Sequence, residues 1–582
     1  MTRNAFSGRR SALGFLLLFA SSLLAREAGG RELSRAALLS GAGYRQPIEL
    51  AEYAPPADAQ LPSQRFEGRL RLTRQGRNGF KSLSVDKSFL DAGHRNVDNL
   101  PDFDFEFVAD RGDVIPVRRG TIPGRHPSWE IILEPGRVWD AVEDAGYSRV
   151  LLPFTLEERN ANCMHNGVLT FLYKSDGNIS HAAWQIGSET CLYEKFDAWG
   201  WLRARYTPHA IAGAGEVVAA FRREVAARLP VKPLAKLAED YPGAVPANFG
   251  APQEVSPEDL TTFGFVIDGT HYSGGCRTRH GEYPFCDVLD LPSYSLAKSV
   301  VAGLALMRLE FLYPGASQAM IRDYVPECAA DARWHGVTFT HALDMATGLY
   351  RSIANQADEN AAGTERFFFP ADHRRKIRYS CGEYPRQSPP GTIWVYHTSD
   401  TYVLGTAINR FLRQHRGSRA DFYRDLLVEP LWKPLGLSPP VTVTRRTYDR
   451  AAQPFTGWGL TLHADDIARL ALYLTGADGR IGAQPALDPQ LLAAALQRDP
   501  TNRGLQAGTP EFRYAHGFWA FNVARSLGCG AETWIPFMSG FGGLQVVMLP
   551  NHTVYYYVSD GGNFHWAGAA AESNRIRRFC QS

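Results

Sequence analysis

Residues 241–259 divide the chain into two parts that carry different sequence patterns. The stretch reads YPGAVPANFGAPQEVSPED, is rich in Pro, Gly and Ala, and has neither a helical nor a strand period, which is typical of a linker. The 582 residues of the chain are too many for one ordinary domain of roughly 150 residues. We therefore predict an accessory domain over residues 45–240, a linker over 241–259 and a second domain over 260–582.

The first part reads mainly as short strands. Its clearest strand segments are rich in β-branched or aromatic residues and partly alternate between apolar and polar positions: 65–73, 103–109, 129–135 and 168–174. Clusters of Gly, Asp and Asn separate them, as turns require. A mainly β domain such as a sandwich or jelly roll fits this spacing. Residues 215–229 place apolar side chains three and four apart, which predicts a helix at the end of this domain.

Residues 1–25 have the pattern of a secretory signal peptide. Three arginines, Arg3, Arg9 and Arg10, precede an apolar run of about 15 residues that ends at Ala25. A membrane-spanning helix needs about 20 apolar residues, so a permanent anchor is the weaker interpretation. Since no later segment is long and apolar enough, we expect a periplasmic or secreted protein with no stable membrane span after signal removal.

The charge balance excludes partners that depend on a strong basic or acidic surface. Lys and Arg number 62 and Asp and Glu 60, a formal net charge of +2. Removal of the three signal-peptide arginines leaves 59 basic against 60 acidic residues, a net of −1. Such a chain has no electrostatic footprint for nucleic acid or for an anionic membrane.

The eight cysteines are even in number, which in an oxidising compartment favours disulfides. Pairing of neighbours along the chain gives Cys163–Cys191, Cys276–Cys286, Cys328–Cys381 and Cys529–Cys580. The last two pairs follow mainly by elimination, and several buried unpaired cysteines are the alternative. The chain contains neither a CxxC nor an HExxH motif, so we predict no metal site and no cofactor.

A serine and a lysine three residues apart begin a nearly continuous apolar helix in the second part. The segment LPSYSLAKSVVAGLALMRLEF (291–311) contains Ser295 and Lys298, and this spacing places both side chains on one helical face. A lysine among apolar residues requires a partner or a role. A desolvated lysine of lowered pKa can accept the serine proton, so the pair is a candidate activated nucleophile.

Further motifs follow in order, and together they resemble the serine β-lactamase and penicillin-binding protein superfamily. Within it the similarity is to class C-like esterases, D-aminopeptidases and 6-aminohexanoate-dimer hydrolases, over about residues 260–575. The motifs are VTFTHALDMATGL (337–349), PPGTIWVYHTSDTYVLG (389–405), LWKPLGLS (431–438), GWGLTLHADDIARLALYL (457–474), YAHGFW (514–519) and SGFGGLQVVMLP (539–550). The resemblance implies an α+β fold in which helices flank an antiparallel sheet.

The resemblance also implies roles for individual residues. Ser295 would be the nucleophile, Lys298 its base partner and Tyr396 a second general acid/base, a role in which neighbouring cations would lower the tyrosine pKa. The oxyanion hole would combine the Ser295 N–H with a backbone N–H near Gly543. The segment Ser399-Asp400-Thr401 resembles the S-D-N motif of other superfamily members and is the alternative to Tyr396.

Two positions depart from the family pattern and bear on substrate binding. The family's Asn after the tyrosine is Thr398 here, and the third motif, usually Lys or His followed by x-Gly, reads Phe541-Gly542-Gly543. That cation commonly helps to bind a substrate carboxylate. We therefore expect an exported serine hydrolase for an uncharged small-molecule or peptide-like ester or amide. The alternatives are a penicillin-recognition binding or sensor protein without turnover, and a D-Ala-D-Ala carboxypeptidase or β-lactamase.

Overall fold

A computed structural model describes residues 32–580. The predicted signal peptide, residues 1–25, lies outside these residues. In the described part of the chain, no helix combines the length and the hydropathy needed to span a membrane.

The first part of the chain forms a nine-stranded antiparallel sheet. Its strands are β1 Glu67–Val85, β2 Phe103–Asp110, β3 Asp113–Pro116, β4 Trp129–Leu133, β5 Gly136–Asp140, β6 Ser148–Glu158, β7 Met164–Tyr173, β8 Ala182–Thr190 and β9 Glu194–Pro208. They lie in the order β4-β6-β5-β3-β2-β1-β9-β8-β7, and β6 also pairs with β7. This additional pairing closes the sheet on itself.

The mainly β accessory domain is thus confirmed, but its architecture is not a sandwich or a jelly roll. A sandwich packs two separate sheets face to face, whereas here one closed sheet surrounds its own apolar interior. Phe66, Trp129, Phe154 and Trp184 are buried there in one hydrophobic cluster. The long strands β1 and β9 pair from Gly68 onward in the middle of the strand order.

The second part contains another nine-stranded sheet and several short ladders. Its strands are β10 Val231–Pro233, β11 Leu260–Ile267, β12 Thr270–Gly275, β13 Arg277–Thr278, β14 Gly281–Glu282, β15 Leu291–Pro292, β16 Thr461–Leu462, β17 Arg480–Ile481, β18 Gln484–Pro485, β19 Leu505–Gln506, β20 Phe512–Ala515, β21 Phe518–Asn522, β22 Trp534–Gly540, β23 Leu544–Met548 and β24 Val554–Ser559. The order in the large sheet is β10-β12-β11-β24-β23-β22-β21-β20-β19. All its pairings are antiparallel except β10 with β12 at one edge.

Helices pack around this second sheet, so the predicted α+β class is confirmed. The α-helices of the described residues are α1 Arg35–Ser40, α2 Ala214–Ala227, α3 Leu237–Asp240, α4 Leu304–Leu312, α5 Ile321–Tyr324, α6 Pro326–Ala329, α7 Phe339–Leu343, α8 Glu365–Phe368, α9 His373–Gly382, α10 Thr398–Arg416, α11 Ala464–Thr475, α12 Pro489–Ala495, α13 Ala524–Leu527 and α14 Ala567–Ile576. Residues Lys298–Gly303 form a π-helical turn that leads into α4, and Tyr423–Trp432 are also π-helical.

The segment predicted as a linker lies against the second sheet. Phe249 is 2% exposed and stacks on Phe265 with ring centroids 4.4 Å apart, and Val255 is buried in the same cluster. The strand β10, which precedes the segment, already belongs to the second sheet. Residues 241–259 therefore do not run as an exposed tether, because Phe249, Ala251 and Val255 are buried. The domain limits at 45, 240, 260 and 582 stay predictions.

Buried ion pairs join the two parts of the chain. Arg445, in the second part, is 4% exposed and donates to Glu130 at 2.5 Å and to Glu157 at 3.1 Å, both in the accessory domain. Buried charges are tolerated only when they are paired and hydrogen-bonded. Removal of one partner would leave an uncompensated charge, so the two parts fit together in one specific arrangement.

The four predicted disulfides are present. The Cα–Cα distances are 4.9 Å for Cys163–Cys191, 6.0 Å for Cys276–Cys286, 4.9 Å for Cys328–Cys381 and 5.4 Å for Cys529–Cys580. All four lie in the range that a disulfide requires. No cysteine of the described residues is left free, which excludes the alternative of unpaired buried thiols.

Candidate active site

Ser295 lies in a tight turn between a short ladder and the apolar helix. The strand β15 pairs with β16 immediately before it, and the helical segment begins immediately after it. Tyr294 has a φ of +40°, a left-handed conformation that costs energy for a residue with a side chain. Its N–H donates to Asn162 of the accessory domain at 2.8 Å. The neighbouring chain thus holds the serine in a sharply turned backbone.

Lys298 contacts the serine directly. Its Nζ lies 2.8 Å from Ser295 Oγ and donates to the Gly457 carbonyl at 3.3 Å. Lys298 is 2% exposed, and this burial lowers the pKa of its amine to about 8, although the charge of Glu359 works in the opposite direction. An amine with this pKa is partly neutral near physiological pH and can accept the serine proton.

Tyr396 is the second group in contact with the serine. Its hydroxyl donates to Ser295 Oγ at 2.9 Å, and Lys298 Nζ lies 4.9 Å from the centre of its ring. Burial, together with the charge of Glu359, raises the pKa of the phenol well above its ordinary value. The cation-lowered pKa expected for this tyrosine is therefore not found. Tyr396 is a neutral phenol that can donate a proton, while Lys298 is the better base.

We propose that the third motif lies three residues earlier than Phe541-Gly542-Gly543. The N–H of Gly543 donates to the Gly540 carbonyl at 3.3 Å, so it is used in the turn between β22 and β23. A Cβ added at Gly540 would lie 3.0 Å from the carbonyl oxygen of Ser293, which places the end of β22 beside the nucleophile turn. We therefore interpret Met538-Ser539-Gly540 as the third motif.

In this proposed register the second oxyanion donor would be the N–H of Phe541 and not that of Gly543. Among the described residues, no hydrogen-bond partner is found for the N–H of Ser295 or for that of Phe541. Unpaired backbone donors beside a nucleophile suit a developing oxyanion. The carbonyl of Gly542 accepts from the Gly562 N–H at 2.9 Å, so Gly542 shapes the turn. The new register still offers no cation, because Met538 takes that position.

Comparison with known proteins identifies the domain that carries this site. The sequence profile of the β-lactamase family matches residues 291–569. These residues form a β-lactamase-family domain. The resemblance predicted from the ordered motifs is thus confirmed at the level of the family.

Solved structures that are similar to the chain at low identity include the three described next, and no curated protein sequence matches it. A putative 6-aminohexanoate-dimer hydrolase from Bacillus anthracis is 16% identical, with a TM-score of 0.42 over 60% of this chain and 85% of that one. A family VIII carboxylesterase is 17% identical, with a TM-score of 0.42 over 60% and 98% of the two chains. EstCE1, a hydrolase with promiscuous acyltransferase activity, is 16% identical, with a TM-score of 0.41 over 61% and 99%.

Thr398, predicted to bind substrate, donates two hydrogen bonds to a carboxylate of the β-lactamase-family domain. Its N–H donates to Glu359 Oε2 at 3.0 Å, and its hydroxyl donates to the other carboxylate oxygen. Glu359 is half-buried and has no basic partner within 4 Å among the described residues. The negative charge of Glu359 acts to raise the pKa of both Lys298 and Tyr396. No local motif marks Glu359, since it lies 39 residues before Thr398.

A buried ion pair fixes the loop that carries Glu359. His397 donates to Asp358 at 3.1 Å and stacks on Tyr384, with ring centroids 4.0 Å apart. Burial alone would lower the pKa of His397, but its hydrogen bond to Asp358 and the nearby charge of Asp400 raise the pKa to about 9. The imidazole is therefore a cation near neutral pH, and it anchors the loop through Asp358.

One cluster of side chains in the described residues contains the kinds of atoms that bind metal ions. Glu134, Asp290 and His463 are buried, and one ligand atom from each lies within 4.8 Å of the others. The His463 side chain, however, accepts the backbone N–H of Asp466 as a helix cap. With Nδ1 in that role, the proton resides on Nε2, which faces Asp290 at 3.4 Å. A protonated Nε2 is a hydrogen-bond donor, so these residues fit a polar network better than a metal.

Proposed function

We propose that the protein is a serine hydrolase that cleaves an ester or amide bond through an acyl-enzyme on Ser295. The observation that supports this most directly is the pair of hydrogen bonds at Ser295 Oγ, from Lys298 at 2.8 Å and from Tyr396 at 2.9 Å. A nucleophile that touches both a depressed-pKa amine and a neutral phenol has a base and an acid within reach.

The proposed reaction moves one proton around these three groups. Neutral Lys298 accepts the Ser295 proton as Oγ attacks the substrate carbonyl, and the oxyanion meets the N–H groups of Ser295 and Phe541. The bond to the leaving group then breaks while Tyr396 donates its proton to that group, and Lys298 returns a proton to Tyr396. Water cleaves the acyl-enzyme by the same transfers in reverse, which restores the free serine.

The expected substrate is an ester or amide without a carboxylate near the scissile bond. Met538 and Phe541 offer no cation to a carboxylate, and Glu359 would repel one. We expect a short-chain aryl ester to have a higher kcat/KM than nitrocefin or a D-Ala-D-Ala peptide. A higher kcat/KM for the β-lactam would support the β-lactamase or carboxypeptidase alternative.

Substitution of the nucleophile tests the mechanism. Ser295→Ala should abolish ester hydrolysis and fluorophosphonate labelling without loss of fold, because only a hydroxyl is removed, and Lys298→Ala should cost at least about a hundredfold. Steady-state rates and circular dichroism measure both effects. Activity of Ser295→Ala above a tenth of wild type would remove Ser295 as nucleophile. Stable labelling of the wild type without turnover of any ester would support the binding or sensor alternative.

The four disulfides support an oxidising compartment, and we propose a periplasmic or secreted location on this basis. Fractionation of the producing cell, with a cytosolic marker as control, would test it. Recovery of the protein with the cytosolic marker would contradict the proposed export.

A further inference from the structure

The nucleophile turn is held by one amide of the accessory domain. Asn162 Oδ1 accepts the Tyr294 N–H at 2.8 Å, the Ser293 hydroxyl at 3.2 Å and the Gly459 N–H at 3.0 Å. Two of these donors follow β15 and the third precedes β16, so they lie on the two segments next to Ser295. A single side-chain oxygen thus links the accessory domain to both strands of the nucleophile's ladder.

Asn162 is itself fixed in place. It is 1% exposed, and its amide nitrogen donates to Glu157 at 3.1 Å. The next residue along the chain is Cys163, whose disulfide to Cys191 ties the start of β7 to the segment after β8. An amide with its neighbour cross-linked and both of its polar ends bonded has little freedom to move.

A second contact from the accessory domain reaches the turn after β22. The ring of Phe541 lies 5.4 Å from that of Phe89 and 6.2 Å from that of Tyr193, and these two rings stack on each other at 5.2 Å. Aromatic pairs at these separations have preferred geometries and contribute beyond the area they bury. The accessory domain therefore touches both segments whose backbone N–H groups are unpaired at the site.

We propose that the accessory domain is a positioning element of the hydrolase, and that Asn162 and the Phe89–Tyr193 pair hold the two halves of its oxyanion hole in register. The N–H groups of Ser295 and Phe541 lie on segments about 245 residues apart in the sequence, so only tertiary contacts fix their separation. Oxyanion donors must meet the developing charge at hydrogen-bond distance, and small displacements are costly in rate. This inference rests on the proposed function.

Asn162→Ala in the full chain tests the proposal. The substitution leaves the Tyr294 and Gly459 N–H groups without their acceptor, so the turn should relax away from its strained conformation. We expect kcat for an aryl ester to fall by about tenfold or more with KM nearly unchanged. The affinity for phenylboronic acid, which forms a tetrahedral adduct on the serine, should weaken by a similar factor.

Controls separate positioning from general destabilisation. Asn178→Ala makes the same change at an exposed asparagine of the accessory domain, whose side-chain amide donates to nearby Asp176, and should leave kcat and boronate affinity at wild-type values. Tyr193→Leu should lower boronate affinity independently of Asn162. Thermal unfolding of each variant shows whether it is folded at the assay temperature.

Failure of the positioning role and failure of the proposed hydrolase function would give different results. If wild-type protein neither hydrolyses an ester nor reacts with a fluorophosphonate, the proposed function is wrong. If the wild type is active but folded Asn162→Ala keeps wild-type kcat and boronate affinity, the positioning role is wrong. A parallel rise in KM and fall in kcat for Asn162→Ala, with boronate affinity unchanged, would also overturn it.

Discussion

Lys298 must lose its ammonium proton before it can accept one from Ser295, and its surroundings set the pH at which this happens. Burial lowers the pKa of Lys298 to about 8. Since the neutral amine is the active form, we expect kcat/KM for a neutral aryl ester to rise with pH and to level off above about pH 8. Rates measured at constant ionic strength on both sides of this value check the prediction. A profile that falls through this range would exclude Lys298 as the base.

The charge of Glu359 allows a test of the direction in which the rising part of the kcat/KM–pH profile shifts. A nearby carboxylate stabilises the ammonium and so raises the pKa of Lys298 against the effect of burial. Glu359→Gln should therefore shift the rising limb of kcat/KM to lower pH. Glu365→Gln removes the same charge from an exposed residue of α8 and should leave the limb in place. A shift to higher pH in Glu359→Gln would contradict this electrostatic account.

The site residues that the sequence predicted lie in local motifs, whereas the site residues that it missed are placed by contacts between distant parts of the chain. Ser295, Lys298 and Tyr396 belong to local motifs, and the structure brings all three together. Asn162 and Glu359 belong to no motif. Their places depend on contacts with residues 132 and 39 positions further along the chain. Periodicity and spacing carry no information about such contacts.

At the scale of the elements, we expect substitutions at the end of β22 to lower kcat most. A Cβ at Gly540 would lie 3.0 Å from the Ser293 carbonyl, closer than ordinary van der Waals contact. Gly540→Ala should push the strand and the nucleophile turn apart and lower kcat by about tenfold. Gly215→Ala, on helix α2 where an added Cβ meets open space, should keep wild-type activity. An active Gly540→Ala variant would place the third motif elsewhere.

The register of that motif and the closed sheet could not be predicted from the sequence. The run Ser539-Gly-Phe-Gly-Gly543 contains three glycines, so a pattern that ends in Gly fits it in more than one register. The bond from Gly543 to Gly540 favours the register that we propose. Closure of the accessory sheet likewise depends on which edges pair, whereas alternation along a strand reports only which side chains face inward.

At the scale of the whole molecule, the disulfides are unequal in their expected effect on catalysis. Cys163→Ser/Cys191→Ser should lower both the melting temperature and kcat, because that bridge adjoins Asn162. Cys529→Ser/Cys580→Ser, near the C-terminal end, should lower the melting temperature alone. Each bridge closes a loop worth about 3–4 kcal/mol in the chain-entropy model. Equal kcat in the two double variants, measured on folded protein, would show that the first bridge has no catalytic effect.

The hydrogen bonds of Asn162 also bear on how such a protein can change over time. Ser295, Lys298 and Tyr396 all lie in the second half, yet the turn beneath the serine is completed by a residue of the first half. A substitution at Asn162 alters that turn as directly as one at Tyr294. With the positioning role that we propose, selection for hydrolysis would act on both halves at once. We therefore expect that exchange of the first half for a foreign domain would lower the activity of the second.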